Sequence, residues 1–401
     1  MAGILFISPT GDFGNGAERS AHKLMSYLVG EGYAVFNAYP AFFPSIESAY
    51  RVAMQQAGVE PMRVDGLRWW PDAPIGDATL VADSPADVRT VAELTKIIRE
   101  NNIDTVITNT VNIYHGAVAA RAARVKHIWL IHEFPQKEFA YYQNKVSFIA
   151  QASDAVLSVA GALNTHLSEL FSPYRVGSFL PCVEYAEASL PVTATSKHRL
   201  VCIGLVTENK NQRELLKAYA LLPAALRDDL ELIFIGDHSG QYKDACDDYI
   251  ERMNLQGVSF LGFLEHPWTQ VGPKDIVVLP SKSETFGCVF AEAAMNGTPV
   301  IASSCSGHIS SHEIFCIGSI YPLGDVCALS RAIERDICDF EQVKRLALAA
   351  APGARAAFCA KNAYAEIVTE IERPRKLKWR RACSLKRARE LSTSTIEKSR
   401  S

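Results

Sequence analysis

The stretch Ser281-Lys282-Ser283-Glu284-Thr285-Phe286-Gly287-Cys288-Val289-Phe290-Ala291-Glu292-Ala293 sets two carboxylates around a glycine, directly behind the apolar run Ile276 to Leu279. An apolar run of that length reads as a buried strand, so Glu284 falls in the following loop and Glu292 in the helix behind it. This arrangement places a helix N-terminus, with backbone N–H groups near Phe286, Gly287, Cys288 and Val289, at the end of a strand. A helix N-terminus carries roughly half a positive charge and suits a phosphate. Two carboxylates beside it are poor phosphate ligands but good acceptors for paired hydroxyls, such as those of a sugar or a ribose. Read by themselves, the same two residues fit equally well as an acid at a helix start and a solvated helix glutamate.

Three further positions carry chemistry. Lys210 lies in Ile203-Gly204-Leu205-Val206-Thr207-Glu208-Asn209-Lys210-Asn211-Gln212, after one strand and before one helix. A lysine there can neutralise a diphosphate as it departs, an interaction that strengthens as negative charge develops. The turn Gly14-Asn15-Gly16-Ala17-Glu18 offers Gly16, where the missing side chain lets backbone N–H groups approach a diphosphate or an acceptor closely. His132 ends the apolar run His127-Ile128-Trp129-Leu130-Ile131, a strand-end position that faces a cleft. His308 and His312 are spaced i,i+4, but no third ligand stands nearby in a zinc pattern. No D-x-D motif falls on a strand end, which agrees with chemistry that needs no metal. A nicotinamide site needs an acidic residue at the end of the second strand, and Tyr33 to Pro40 offers none.

The elements that position these residues alternate. In the first half, strands are expected at Gly3 to Ser8, Tyr33 to Tyr39, Thr105 to Asn109 and His127 to Ile131. Helices are expected at Ala17 to Leu28, Val88 to Arg99 and Gly116 to Arg124. Asp65 to Pro85, with Trp69-Trp70, reads as an irregular excursion. The second half restarts the pattern, with strands at Arg199 to Ile203, Leu230 to Ile235, Val258 to Leu261, Ile276 to Leu279 and Pro299 to Ala302. Helices between them include Gln212 to Leu222 and Val289 to Met295. Strand–helix alternation implies parallel, doubly wound sheets, which bind ligands at the carboxyl ends of their strands. The expected organisation is a domain over 1–185, a linker over 186–198 and a second domain over 199–353. A C-terminal helix over 354–372 then crosses back to the first domain, and a basic tail fills 373–401.

Composition fits that plan. The chain has 401 residues, 48% of them hydrophobic and 21% charged, enough for two ordinary cores. Its N-terminus lacks the pattern of a signal peptide, and no run is long and apolar enough to span a bilayer. The ten cysteines form no C-x-x-C pair and read as reduced thiols of a cytoplasmic protein. The net charge of −3 is unevenly spread. From Arg373 to Ser401, eleven Lys and Arg against Glu390 and Glu397 give +9, leaving −12 on the other 372 residues. An acidic body argues against nucleic acid as a partner. The basic tail, with Leu377, Ala382, Leu385 and Ala388 near one face, suits peripheral contact with an anionic membrane.

The segment Glu284 to Glu292 resembles the E-x7-E signature of retaining glycosyltransferases with the GT-B fold, in particular glycosyltransferase family 4. Gly236-Asp237 after a strand, Val258 to Gly262, and Asn296-Gly297-Thr298-Pro299-Val300-Ile301-Ala302 resemble the family as well, as does the G-G-x-E-like turn ending at Glu18. The resemblance is closest from Arg199 to Gly307 and weaker over residues 1 to 185. It implies two Rossmann-like domains facing across a cleft and a nucleotide-sugar donor bound to the second domain. It also implies a glycan or lipid-linked acceptor on the first, and no cofactor. It further implies that Glu284 contacts hydroxyls of the donor sugar, that Glu292 binds the ribose diol, and that the Phe286-Gly287 backbone lies beside the sugar. His132 would touch the sugar too. One departure is plain: the family usually has Arg directly after the glycine, and here Leu205 follows Gly204. Either Lys210 and backbone donors suffice, or Lys282 or Arg213 substitutes, or activity is reduced. Transfer to an acceptor is the expected activity, in polysaccharide or glycolipid assembly at the cytosolic face of a membrane. A nucleotide-sugar epimerase of similar fold and a non-catalytic nucleotide-sugar-binding protein are the alternatives.

Overall fold

The computed structural model describes residues 2–41, 44–70, 84–181, 197–238 and 240–375. The first sheet contains β1 (Gly3–Ile7), β2 (Ala34–Tyr39), β3 (Glu60–Arg63), β4 (Ile103–Asn109), β5 (Lys126–Ile131), β6 (Ala155–Val159) and β7 (Val176–Phe179). The second contains β8 (His198–Ile203), β9 (Leu230–Ile235), β10 (Val258–Phe260), β11 (Asp275–Leu279), β12 (Val300–Ser303) and β13 (Ser319–Tyr321). Their spatial orders are 3-2-1-4-5-6-7 and 10-9-8-11-12-13, and every pairing is parallel. Central strands such as β1 and β11 are buried along their whole length, because helices cover both faces of a parallel sheet. In each sheet the strand order reverses between the first strand of its unit and the fourth, at β1/β4 and at β8/β11. Chain leaving the carboxyl ends of those two strands turns to opposite faces and opens a crevice.

Local chemistry fixes where the covering helices begin. Asn15 caps the Gly16–Gly30 helix, its Oδ1 accepting the Glu18 amide at 2.9 Å, and Ser84 caps Pro85–Glu100, with Pro85 in its first turn. Across β8 and β11, Arg199 meets Asp275 in a buried two-pronged pair, Nε to Oδ1 at 2.8 Å and Nη2 to Oδ2 at 2.6 Å. That fork pins the two strands flanking the switch point at their amino ends.

The chain after the second sheet differs from the single helix expected over 354–372. A helix spans Phe340–Phe358, so position 354 falls inside it. It stops at Cys359, whose backbone is extended (φ −61°, ψ 137°), and short helices follow at Ala360–Ala363 and Ala365–Glu372. The last of these packs against β7. Lys126 of β5 donates to the carbonyl of Glu370 at 2.8 Å and also to those of Ile371 and Arg373, capping carbonyls that the helix leaves unpaired. Glu366 accepts the Ser178 amide at 2.9 Å and pairs with Arg175. Of the linker expected over 186–198, His198 belongs to β8, and most of the remainder lies outside the described residues, as does the tail beyond residue 375.

A second junction joins the two halves. The Ala162 amide donates to Ser310 Oγ at 2.8 Å. Gly161, at φ +90°, has no room for a side chain, since a β-carbon there would lie 2.5 Å from Ser310 Cβ. Among the described residues no helix is long and apolar enough to cross a membrane.

Candidate functional site

The crevice of the second sheet lies between two loops, residues 204–211 after β8 and 280–287 after β11. They are laced together: the Lys282 amide donates to the Asn209 carbonyl at 2.7 Å, Asn209 Nδ2 donates to the Ser283 carbonyl at 3.0 Å, and Asn211 Nδ2 donates to the Pro280 carbonyl at 3.2 Å. Glycine lets the chain leaving β8 and the chain leaving its parallel neighbour β9 approach closely. At Gly236, a β-carbon would sit 2.1 Å from the Gly204 carbonyl oxygen.

Within this crevice Lys210 Nζ donates to Glu284 Oε1 at 2.7 Å, joining residues 74 positions apart. Both side chains are largely covered, 28% and 17% exposed. Burial alone would drive the Lys210 pKa down and the Glu284 pKa up. The opposite charge of each partner, with the hydrogen bond between them, outweighs burial and moves them the other way, so both stay ionised.

Gly287 follows in a left-handed conformation (φ 82°) that favours glycine and starts the Cys288–Asn296 helix. The glycine cap makes no side-chain hydrogen bond to this helix end, and the first-turn residues Cys288 and Val289 are partly exposed where the helix start carries its positive potential. The Phe286 side chain points into the core beside Phe358, and its carbonyl accepts from Ser311 Oγ. Glu292, one turn into the helix, accepts the indole N–H of Trp268 at 2.7 Å. Trp268 went unnoticed in the sequence because it sits in a short turn, Pro267–Gln270, 24 residues away.

The departure at Leu205 is visible: its side chain is 52% exposed. Of the two candidate substitutes for the missing arginine, Lys282 pairs with Glu208 on the same two loops. Arg213 lies in the first turn of the Gln212–Leu221 helix, its amide donating to Tyr242 Oη at 3.1 Å and its Nε buried with no hydrogen-bond partner.

Gly16 and His132 form a second group at the carboxyl edge of the first sheet. His132 Nε2 lies 2.9 Å from Asn109 Oδ1, and Asn109 Nδ2 donates to the Ala17 carbonyl at 3.3 Å. Since the Asn109 amide is oriented by Ala17, its oxygen faces the ring, so His132 carries its proton on Nε2 and leaves Nδ1 as an acceptor. Burial lowers its pKa to about 4, so the ring is neutral near pH 7. Gly16 is exposed, has no strained φ, and a β-carbon there would meet nothing within 4 Å. Neither packing nor backbone angle demands a glycine, which leaves open space above the turn. Beneath it Glu18 is fully buried, and burial pushes its pKa up to about 8. His308 and His312 bond instead to Ser303 Oγ, at 3.1 Å, and to the Ile317 carbonyl, at 2.7 Å.

Two doubly wound parallel sheets, with a cation–carboxylate pair and a helix start at the switch point of the second, define a protein of the GT-B fold. The chain superposes on a glycosyltransferase from Rickettsia africae with TM-score 0.75 at 16% identity, covering 92% of this chain and 97% of that one. Anabaena HepE, solved in complex with UDP, gives TM-score 0.72 at 20% identity, over 92% of this chain and 99% of that one. The family profile described as Glycosyltransferase Family 4 matches residues 14–176, and that described as Glycosyl transferases group 1 matches residues 188–351. The chain belongs to glycosyltransferase family 4. Curated relatives include the phosphatidyl-myo-inositol mannosyltransferase of Propionibacterium freudenreichii, 27% identical over 201 residues, which are 47% of this chain and 48% of that protein. Another is the O-antigen chain mannosyltransferase B of Escherichia coli, 32% identical over 34% of this chain and 36% of that protein. The matched stretch thus spans about half or less of the curated relatives' own length.

Proposed function

We propose that this chain transfers a glycosyl group from a nucleoside-diphosphate sugar to a glycan or lipid-linked acceptor, with retention of anomeric configuration. The observation that carries this reading is the Lys210–Glu284 pair, held at 2.7 Å across the two loops of the β8/β11 crevice. Without donor, each charge stabilises the other in a partly dry site. With donor, Lys210 turns to the diphosphate while Glu284 accepts hydroxyls of the sugar. The lysine's attraction then grows as the bond to the sugar breaks and charge collects on the leaving phosphate. The amides of Phe286, Gly287, Cys288 and Val289 add to that stabilisation. Glu292 takes the ribose hydroxyls, and His132 offers Nδ1 to the sugar from the first sheet. Gly16 leaves space for the diphosphate or the acceptor. The acceptor hydroxyl attacks the same face that the phosphate leaves, with that phosphate taking the proton, so no protein nucleophile, metal or cofactor enters the scheme. The setting is polysaccharide or glycolipid assembly at the cytosolic face of a membrane, where the basic tail would meet anionic lipid.

The donor base and sugar are found with a thermal-shift panel of UDP-, GDP- and ADP-sugars. UDP comes first, because solved relatives hold UDP and UDP-glucose. A donor at a hundredfold excess over Kd stabilises by about 2.7 kcal/mol. With the donor in hand, Glu292→Ala should weaken nucleotide binding, whereas Glu284→Ala should chiefly lower turnover. Transfer at the parent rate by both variants refutes these assignments, and a product of inverted configuration refutes retention.

A further inference from the structure

Behind the loop that carries Glu284, the end of β12 and the Ser306–Phe315 helix bring together several polar groups that the scheme above does not use. His308 is 1% exposed. Ser303 Oγ lies 2.6 Å from the Ser281 carbonyl and 3.1 Å from His308 Nδ1. A hydroxyl has one proton, and a carbonyl can only accept it, so the imidazole must be the donor in the second contact. His308 therefore holds its proton on Nδ1 and keeps Nε2 as an acceptor. The charged groups that face it are Glu284 and Lys210, with the Cys305 thiol at the helix start. Burial outweighs the pull of Glu284 and lowers the ring's pKa to about 4, so it is uncharged at neutral pH.

The far edge of the ring lies against Gly287. A β-carbon at Gly287 would sit 2.9 Å from His308 Cδ2 and 3.6 Å from Nε2. One residue earlier, Gly307 lets the helix backbone press on Glu284: a β-carbon there would lie 2.5 Å from the Glu284 carbonyl oxygen and 2.7 Å from its Cβ. One turn later, Ser311 donates to the Phe286 carbonyl. Glu284, Phe286 and Gly287 are thus backed by three successive contacts from one helix, and the middle of that backing is an imidazole.

We propose that His308 is a positioning residue of this site, an uncharged wedge that fixes the Glu284 carboxylate and the Gly287 turn from behind. The proposal rests on the reading of the crevice as a nucleotide-sugar pocket. A cation at this position would compete with Lys210 for Glu284. A shorter side chain would leave the left-handed Gly287 turn, which no side chain caps, without support. Groups that act on the reacting sugar must be held within about 0.5 Å, and small displacements reduce rate more than they reduce binding through remote contacts.

His308→Asn keeps an N–H near the Nδ1 position but ends short of Gly287, and His308→Gln provides a second variant should the first fail to fold. Turnover and KM are measured with whichever of UDP-glucose, GDP-mannose and ADP-glucose stabilises the parent most. Affinity for the matching free nucleoside diphosphate is measured by calorimetry. The expected result is a kcat at least tenfold lower, with KM and nucleotide Kd within twofold of the parent. An unchanged kcat overturns the proposal, and so does a parallel loss of kcat and nucleotide affinity, which marks general collapse. A second arm needs no donor. Nitrogen-15 NMR should show one imidazole, absent from the spectrum of the variant, protonated on Nδ1 and not on Nε2 from pH 5.5 to 8. An imidazolium or an Nε2–H tautomer there overturns the proposal. If the parent binds none of the three sugar nucleotides, the donor reading falls, while the NMR arm still decides the placement of His308.

Discussion

Removing the ammonium of Lys210 should expose how much of the crevice depends on one charge. At 2.7 Å and an effective dielectric constant of about 20, the attraction to Glu284 is about 6 kcal/mol, most of it offset by the cost of drying the two groups. What Lys210→Met leaves is the larger problem: a carboxylate 17% exposed, with its cation gone. An orphaned, mostly buried charge of that kind costs about 2–3 kcal/mol after water enters, which is roughly 5–10 °C in the melting temperature of a domain this size. Adding Glu284→Gln removes the orphan and should restore at least half of the loss, because the two sites are coupled. Activity should behave differently. If Lys210 balances the departing diphosphate as proposed, the single variant should lose roughly a hundredfold to a thousandfold in turnover, and the double variant should regain none of it. Melting by calorimetry and initial-rate assays on the four members of the cycle test this directly. A double variant that loses the sum of the two single losses would show that the pair is not coupled and refute the reasoning. Parent turnover in Lys210→Met would do the same for its role.

Stability should peak near pH 6.5. Burial lowers His127 to about 3 and His132 and His308 to about 4, so below pH 6.5 the unfolded chain takes up three protons that the native one refuses, and stability falls as pH drops. Glu18, raised to about 8, and Glu133, raised to about 7, keep protons that the unfolded chain has already shed, so stability falls as pH rises above 6.5. Each proton contributes about 1.4 kcal/mol per pH unit, and urea midpoints that keep rising from pH 6.5 to 8 would sink the prediction. Elsewhere, buried Asp87 accepts from Arg68 Nε at 2.8 Å and lies 3.0 Å from Nε2 of the fully buried His115. Arg68→Ala strips the cation from an Asp87 carboxylate that is 2% exposed and should cost about 3 kcal/mol, and Asp87→Ala distinctly less, since the arginine head it leaves behind, 48% exposed, can rehydrate; equal losses in urea melts would contradict that account.

Much of the scaffold was legible because its signal is local. Long apolar runs marked β1, β5, β8, β9 and β11, and the alternation with helical spacing required parallel sheets. The strands that gave no clear signal are short or lie toward an edge. β3 is four residues with Pro61 inside it, β13 is three residues, and β7 is four. Their pairing depends on a neighbour supplied by the rest of the sheet. The break at Cys359 was equally silent, since Ala-rich spacing runs through it on both sides.

The same division runs through the site. By itself the sequence determined that Glu284, Gly287 and Glu292 belong to one strand–loop–helix unit, because that geometry is local. Tertiary structure alone decided their partners. The loop after β8 meets the loop after β11 only because those strands are neighbours, and that adjacency sets Lys210 on Glu284. Trp268 reaches Glu292 through a turn from another segment, and His308 reaches Gly287 through a glycine-tight helix contact. Charges and tautomers follow from those partners. Burial and opposing charge belong to neighbours in space, and a chain's periodicity carries no record of which distant segment becomes a neighbour.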